Sequence, residues 1–159
     1  SILTAFEMLK TLQKQWPTSD ALIMTAAVCD FRPQKRNTQK MSKQGKQIFI
    51  LKLARTPDIL KILSVKKGDR CLVGFALGTK RGIEDGLKKL KEKNLDLIIC
   101  NWVTRASSPF GQGKTTVAIL DKDGHQRWLR RVLKKEVAKA LVDKIEQICY
   151  QKKMKGGDL

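Results

Sequence analysis

The sequence predicts an α/β fold, with a three-layer, Rossmann-like domain that has a mostly parallel sheet and a C-terminal β-hairpin. Two observations support this prediction. Short apolar runs alternate with amphipathic stretches along the chain, as in sheets that helices cover on both faces. Small and polar residues follow the first apolar run, in residues 25–33. Such residues are typical of the carboxyl edge of a parallel sheet, where ligands bind.

The first elements are a helix and two strands. Thr4 and Glu7 form a capping-box pattern that opens an amphipathic helix through about residue 15. Residues 21–24 form an apolar run that predicts a buried strand. After a basic loop, the apolar residues in 47–53 predict a second strand.

A helix, a strand and a further helix come next. Thr56 is the expected N-cap of the short helix, and Pro57 is its expected first residue. Residues 71–76 predict the third strand, which runs into a loop that contains Gly78. The amphipathic pattern of residues 83–93 predicts the next helix.

The chain ends in a strand, a hairpin and a long helix. Residues 95–100 predict a buried strand. Residues 115–129 predict a hairpin that turns at Asp123-Gly124. Apolar residues at helical spacing predict a final helix over residues 134–150.

Length and composition limit the class of protein. With 159 residues, we expect one domain over residues 1–150 and a basic tail over 151–159. No apolar run reaches the length of a membrane-spanning helix, and no signal-peptide pattern is present. The four cysteines have no C-x-x-C spacing and are expected to be buried thiols in a reducing, cytoplasmic compartment. A lone histidine, His125, argues against a His-based triad or a multi-His metal site.

The net charge of +18 raises nucleic-acid binding as an alternative function. However, the lysines are spread along the chain, aromatic residues are few, and no nucleic-acid-binding motif accompanies them. Residues 111–116 resemble the end of a phosphate-binding P-loop, but Ser108 replaces the first glycine and a strand pattern follows. A P-loop requires a helix there, so we reject that interpretation.

Two groups of residues predict a site for an anionic ligand. Ala26 allows close approach to the backbone, Asp30 is an acceptor, and Lys40 and Lys43 are cations for phosphate, although a strand followed by a solvated basic loop explains them equally well. Lys89 and Lys93 share one helical face and could hold a triphosphate, or form a solvated face. Asn101 could contact a ligand or cap a turn.

Several short motifs resemble one known family in their order and spacing. They are Ala-Ala-Val-x-Asp-Phe-Arg-Pro at residues 26–33, Lys-x-x-Lys at 40–43, Thr-Pro-Asp-Ile-Leu at 56–60, Val-Gly-Phe-Ala at 73–76, Lys-x-x-x-Lys-x-Leu-Asp-Leu-Ile at 89–98, and Asn101. From about residue 2 to 150, the chain resembles the synthetase domain of bacterial phosphopantothenoylcysteine synthetase/decarboxylase, an enzyme of coenzyme A biosynthesis.

This resemblance implies a reaction and its partners. CTP would activate 4′-phosphopantothenate as an acyl-cytidylate, and cysteine would then displace CMP to form an amide. Mg²⁺ is expected on the phosphates. The resemblance also implies a homodimer that exchanges residues 30–33 and the next strand, and either a flavin decarboxylase domain or an N-terminal unit upstream.

The resemblance also assigns roles to residues of this chain. Lys40 would be the catalytic residue, on a flap that closes over the reacting groups, and it would also bind nucleotide. Lys89 and Lys93 would hold the triphosphate, and Asn101 would be a possible substrate contact. No metal ligand is assigned. The nucleotide pocket would be lined by Ala26, Asp30, Thr56, Pro57, Asp58, Ile59 and Phe75.

The chain departs from the family pattern at several points. The first, Gly-rich βα unit is expected to be absent, so part of the active site is missing and the reaction is expected to be incomplete in this chain alone. Leu77-Gly78 replaces an acidic position. The family's Asn-Asp-Val becomes Asn101-Trp102-Val103. Two alternatives therefore stay open at this point, an inactive nucleotide-binding paralogue and a basic nucleic-acid-binding α/β domain.

Overall fold

The computed structural model describes residues 1–35, 39, 48, 50–78, 82–102 and 113–156. The helices are α1 Ala5–Gln15, α2 Ile59–Ser64, α3 Gly82–Glu92 and α4 Lys134–Gly156, with a 3₁₀ turn at Trp16–Thr18. The strands are β1 Ala21–Ile23, β2 Phe31–Pro33, β3 Leu53–Arg55, β4 Cys71–Gly78, β5 Leu97–Trp102, β6 Thr115–Asp121 and β7 Gln126–Val132. None of these helices combines the length and hydropathy that crossing a bilayer requires.

The main sheet has five strands in the order β1-β4-β5-β6-β7. β1 pairs with β4, and β4 with β5, in parallel. β6 and β7 continue the sheet as an antiparallel hairpin. The predicted fold class, with its mainly parallel sheet and C-terminal hairpin, is therefore confirmed. Because β6 follows Gly113 as a strand, the rejection of a P-loop also stands.

Two apolar cores lie on opposite faces of this sheet. On one face, α1, α2 and α3 cover a cluster that contains Trp16, Leu72 and Ile98. On the other face, α4 packs against alternate residues of the same strands. Gly86 allows α3 to lie close to β5, because a Cβ atom at this position would overlap the Cys100 thiol. The result is the predicted three-layer arrangement.

The predicted strand over residues 47–53 is wrong. Residues 50–52 are not in a strand, and the strand begins at Leu53 instead. Residues 47 and 49 lie outside the described residues. β3 does not join the main sheet but pairs antiparallel with β2, and Leu53 is 54% exposed. The apolar pattern of residues 47–53 therefore does not correspond to a buried strand. Its described part is exposed chain that leads into the small second sheet.

The expected cap of α2 is also corrected. Asp58, rather than Thr56, is the N-cap, and its carboxylate accepts a hydrogen bond from the Lys61 backbone N at 3.2 Å. Pro57 therefore lies before the helix. The Thr56 backbone N donates to the Asp30 carbonyl at 2.8 Å, so Thr56 continues the pairing of the small sheet and lies two residues before the cap.

Several boundaries lie further along the chain than expected. β4 extends to Gly78, β5 to Trp102 and the hairpin to Val132, because the backbone pairing continues past each apolar run. The final helix does not end at residue 150 but continues to Gly156. Residues 151–156 of the expected tail are therefore helical.

A buried ion cluster explains why the last turns of α4 are ordered. Asp96 is fully buried at the amino end of β5, and its carboxylate lies 3.1 Å from Lys67 Nζ and 2.8 Å from Lys152 Nζ. The same carboxylate accepts a hydrogen bond from the Leu72 backbone N at 2.8 Å. Burial by itself raises the pKa of Asp96, but these hydrogen bonds and the two ammonium charges outweigh it, so its pKa lies below the usual range.

Replacing Asp96 with Asn is expected to lower the free energy of unfolding at pH 7 by about 3–5 kcal/mol, because two largely buried ammonium groups lose their counter-charge. Urea unfolding measures the change. Asp20→Asn is the matched control, since the Asp20–Lys153 pair is exposed and its loss should cost less than about 1 kcal/mol. Similar losses in the two variants would contradict the prediction.

Comparison of wild type with Asp96→Asn over a range of pH tests the pKa of Asp96. Its folded-state pKa lies below the unfolded value of 3.8, so the carboxylate stabilises the fold above that pH and less as the pH falls through its folded value. The difference in stability between wild type and Asp96→Asn should therefore shrink below about pH 4.

Candidate functional site

A cleft of about 510 Å³ opens at the carboxyl ends of β1 and β4. The chain that follows β1 forms one wall, the start of α2 forms another, and α3 contributes lysine side chains. This is the edge at which open α/β sheets bind ligands. The cleft is lined by Met24, Thr25, Ala26, Ala27, Val28, Cys29, Asp30, Thr56, Pro57, Asp58, Ile59, Leu60, Phe75, Ala76, Leu77, Lys89, Lys93 and Asn101.

All predicted site residues that lie within the described ranges line this one cleft. They are Ala26, Asp30, Thr56, Pro57, Asp58, Ile59, Phe75, Lys89, Lys93 and Asn101. Lys40 and Lys43 lie outside the described residues. The structure brings the predicted residues together, but their roles in binding remain predictions.

The two lysines of α3 have different surroundings. Lys93 Nζ lies 3.0 Å from Asp58 Oδ2, and the Lys93 side chain is 28% exposed. Lys89 is exposed, and it forms no ion pair with any residue in the described ranges. By contrast, Lys88 is not among the residues that line the cleft, and its Nζ pairs with Glu92 Oε1 at 3.8 Å. The cleft therefore holds one tethered and one untethered ammonium group.

Asp30 and Thr56 connect the small sheet to the cleft. The Asp30 carbonyl accepts the Thr56 backbone hydrogen bond, while the Asp30 carboxylate has no donor among the residues the structure describes. The Thr56 hydroxyl oxygen is buried and likewise has no partner there. Buried polar groups are usually paired, so the unpaired hydroxyl marks this wall of the cleft as a place where a ligand could supply the missing partner.

Phe75 and Asn101 close the cleft at the sheet edge. Phe75, in the second half of β4, is 40% exposed, which leaves an apolar ring surface for a planar ligand. The Asn101 Oδ1 accepts a hydrogen bond from the Thr115 hydroxyl at 3.0 Å. Asn101 is thus held by the neighbouring strand rather than capping a turn.

Cys29 is a cleft residue that the sequence reasoning missed. It was expected to be a buried thiol, but it is exposed, whereas Cys71 and Cys100 are buried. Its position in the polar run after β1 was the available signal. Burial raises the pKa of the Cys71 thiol to about 12 and that of Cys100 to about 11. Burial also raises the pKa of half-buried Cys149, which lies outside the cleft.

A possible metal-ligand cluster lies elsewhere, at the hairpin turn. Ligand atoms of Asp121, Asp123 and His125 lie within 4.8 Å of one another. However, Asp121 Oδ1 already accepts hydrogen bonds from the backbone N atoms of Asp123 and His125. Asp121 Oδ2 lies 3.0 Å from Lys144 Nζ. The cluster is explained by the hairpin turn that it stabilises.

Comparison with known proteins gives one family. The family described as DNA/pantothenate metabolism flavoprotein C-terminal domain matches residues 1–149. The coenzyme A biosynthesis bifunctional protein CoaBC of Bacillus subtilis is 39% identical over 150 residues, which cover 94% of this chain and 37% of that protein. The chain therefore spans little more than a third of the length of this curated relative.

Solved structures agree with this match. The crystal structure of the C-terminal domain of the coenzyme A biosynthesis bifunctional protein CoaBC has a TM-score of 0.75 and 31% identity, covering 94% of this chain and 65% of that one. A mutant of Cab2 in complex with phosphopantothenate-cysteine has a TM-score of 0.71 and 20% identity, covering 96% of this chain and 54% of that one. At this lower identity, the second likeness concerns the fold.

The exposure of the cysteines predicts their order of reaction with a thiol reagent. In the native protein, iodoacetamide should modify Cys29 first, because Cys71 and Cys100 are shielded and are protonated at neutral pH. Peptide mass spectrometry after timed labelling identifies the modified residue. Labelling of Cys100 as fast as Cys29 would show that the α3 face of the sheet is open.

Proposed function

This chain belongs to the family of the DNA/pantothenate metabolism flavoprotein C-terminal domain, and on that premise we propose that it ligates 4′-phosphopantothenate to cysteine, using CTP, in coenzyme A biosynthesis. One observation carries the proposal. The residues assigned to nucleotide binding come from separate segments of the sequence, yet those that the structure describes line a single cleft. The names of the CoaBC relatives place those proteins in coenzyme A biosynthesis, and the Cab2 structure is named as a complex with phosphopantothenate-cysteine.

The reaction is a two-step acyl transfer. The carboxylate of 4′-phosphopantothenate attacks the α-phosphate of CTP, and pyrophosphate leaves with the electron pair of the broken bond. The amine of cysteine then attacks the acyl-cytidylate carbonyl, loses a proton, and expels CMP. Both substrates of the first step are anions, so positioning and charge neutralisation are the main tasks of the protein.

The residues of the cleft fit these tasks. Lys89 and Lys93 hold the triphosphate, with Lys89 exposed to receive it. Asp30 and the chain from Thr56 to Ile59 surround the nucleoside, and Phe75 provides the apolar surface for the base. Asn101 lies at the same edge for contact with the second substrate. Lys40 is proposed as the catalytic lysine on a closing flap.

Magnesium is expected on the phosphates of the nucleotide. The only carboxylates in the described lining are Asp30 and Asp58, and Asp58 is already paired with Lys93. This lining fits a Mg²⁺ ion that is held mainly by phosphate oxygens and water, which is the usual arrangement for this ion. The ion would neutralise charge on the triphosphate.

We also propose a homodimer, formed through the small sheet. An isolated two-stranded sheet is marginally stable in water, and here it exposes Phe31 by 52% and Leu53 by 54%. A second copy would cover these side chains. The complete protein would carry a flavin decarboxylase domain or an N-terminal unit upstream. It would act in the cytoplasm, in keeping with four cysteines that form no disulfide.

The charge of Lys89 is expected to be needed for nucleotide binding. Lys89→Ala should weaken CTP binding by about tenfold or more, because a charge-assisted contact to phosphate is lost. Isothermal titration calorimetry with CTP and Mg²⁺ at moderate salt measures the affinity. Lys88→Ala, on the same helix but outside the cleft lining, is the control and should change the affinity by no more than about twofold.

An activity assay on a longer protein that includes the upstream unit separates the alternatives. That protein should form the amide product from 4′-phosphopantothenate, cysteine and CTP. CTP binding without product would favour the inactive paralogue. RNA binding that depends steeply on salt and is not displaced by CTP would favour the nucleic-acid-binding domain and contradict the proposal.

Introducing a charged residue into the small sheet tests the proposed dimer. Leu53→Glu should convert the dimer to a monomer, because a carboxylate would have to be desolvated in the interface. Size-exclusion chromatography with light scattering measures the mass. Leu133→Glu, at an apolar residue with 48% exposure outside this sheet, should leave the mass unchanged. A wild-type monomer would contradict the proposed interface.

A further inference from the structure

The two carboxylates in the cleft differ in how the protein uses them. Both oxygens of Asp58 are engaged, Oδ1 by the Lys61 backbone N at 3.2 Å and Oδ2 by Lys93 Nζ at 3.0 Å. The Asp30 carboxylate has no donor among the described residues. We infer that Asp58 is a positioning residue that acts on the nucleotide only through Lys93. The inference rests on the proposed function and changes the role assigned to Asp58 from direct nucleotide contact.

The position of the ion pair in the fold supports this role. Asp58 caps the start of α2, and Lys93 follows the last residue of α3, so the pair joins two helices that line the cleft. The Asp58 carboxylate is held in place by its own cap hydrogen bond. The Asp58 carboxylate therefore holds the ammonium group of the flexible Lys93 side chain at a fixed position.

The chemistry of the ammonium group explains how tethering helps binding. Lysine has four rotatable bonds and three N–H donors. One donor directed to Asp58 fixes the side chain and leaves two donors for phosphate oxygens. The conformational entropy of Lys93 is then lost before the nucleotide arrives rather than on binding. Lys89, which has no such tether in the described residues, must be ordered by the ligand itself.

This role predicts a selective effect on the triphosphate. Lys93 is assigned to the triphosphate, so loss of the Asp58 charge should weaken CTP binding and leave CMP binding unchanged. Asp30 is the carboxylate left free for the nucleoside. Its loss should weaken CTP and CMP binding by the same factor.

The experiment compares Asp58→Asn, Asp30→Asn and wild type by calorimetric titration with CTP and with CMP, both with Mg²⁺. Asparagine is as good an N-cap as aspartate, so Asp58→Asn removes the charge and keeps the cap, and its thermal unfolding midpoint should match wild type. We expect the CTP dissociation constant of Asp58→Asn to rise by about three- to tenfold, as for a partly exposed ion pair. CMP binding should change by less than about twofold.

A double-mutant cycle tests whether the effect passes through Lys93. In a Lys93→Met background, Asp58→Asn should cause no further loss of CTP affinity, because the residue that it positions is absent. A further loss of the same size would show that Asp58 touches the nucleotide directly, and would overturn the inference.

The remaining outcomes are equally decisive. Equal weakening of CTP and CMP in Asp58→Asn would place Asp58 on the nucleoside. Tighter CTP binding would mean that Asp58 competes with phosphate for Lys93, and unchanged binding would mean that the tether has no effect. Each of these overturns the inference and leaves the proposed function intact. Wild type that binds neither nucleotide would overturn the proposed function, and the inference with it.

Discussion

The fold depends on the buried contact between Asp96, Lys67 and Lys152. Lys67 comes from the chain after α2 and Lys152 from the last turns of α4, so one carboxylate joins all three layers at the amino end of the sheet. In this contact, the cost of burying the charged groups opposes the attraction between them. Burial lowers the pKa of Lys67 more than Asp96 raises it, while the pKa of Asp96 itself is lowered. Two ammonium groups and a backbone N–H converge on the Asp96 carboxylate, and together they keep it ionised despite its burial.

Anchoring the layers at one end of the sheet leaves the opposite end available for a ligand. Near the carboxyl ends of β4 and β5, Phe75 and Asn101 face the cleft, where they remain available to a ligand. α3 lies between these strands in the chain and delivers Lys89 and Lys93 to that edge. A cleft that two lysines line follows from this topology, and it does not require the net charge of +18.

The sequence was a good guide where one short segment carries its own signal. The contiguous apolar runs of β4 and β5 and the Asp123-Gly124 turn were recognisable because burial or turn chemistry acts locally. The choice between Thr56 and Asp58 as N-cap could not be made locally, since both residue types cap helices. Where the helix begins depends on how far the small sheet extends, and a backbone bond to the distant residue Asp30 extends it to Thr56. The Lys152–Asp96 pair was unpredictable for the same reason, as its partners are distant in sequence. The chain from Met24 to Asp30 was recognised as a cleft wall from its position after β1. Cys29 in this segment was nevertheless expected to be buried like the other cysteines, and it is exposed.

The high positive charge and the cleft contribute to anion binding in different ways. Dispersed lysines raise the local concentration of any polyanion, but they are screened by salt and do not distinguish one anion from another. Selectivity requires cations held at fixed distances from groups that recognise the rest of the ligand. In the described part of this chain, that combination occurs where Lys93 is fixed by Asp58, beside a free carboxylate at Asp30 and the exposed ring of Phe75. A nucleoside triphosphate carries a base, a ribose and a phosphate chain, and it can engage all of these groups at once. A nucleic-acid backbone presents phosphates spread along a surface, and it would engage mainly the dispersed charge.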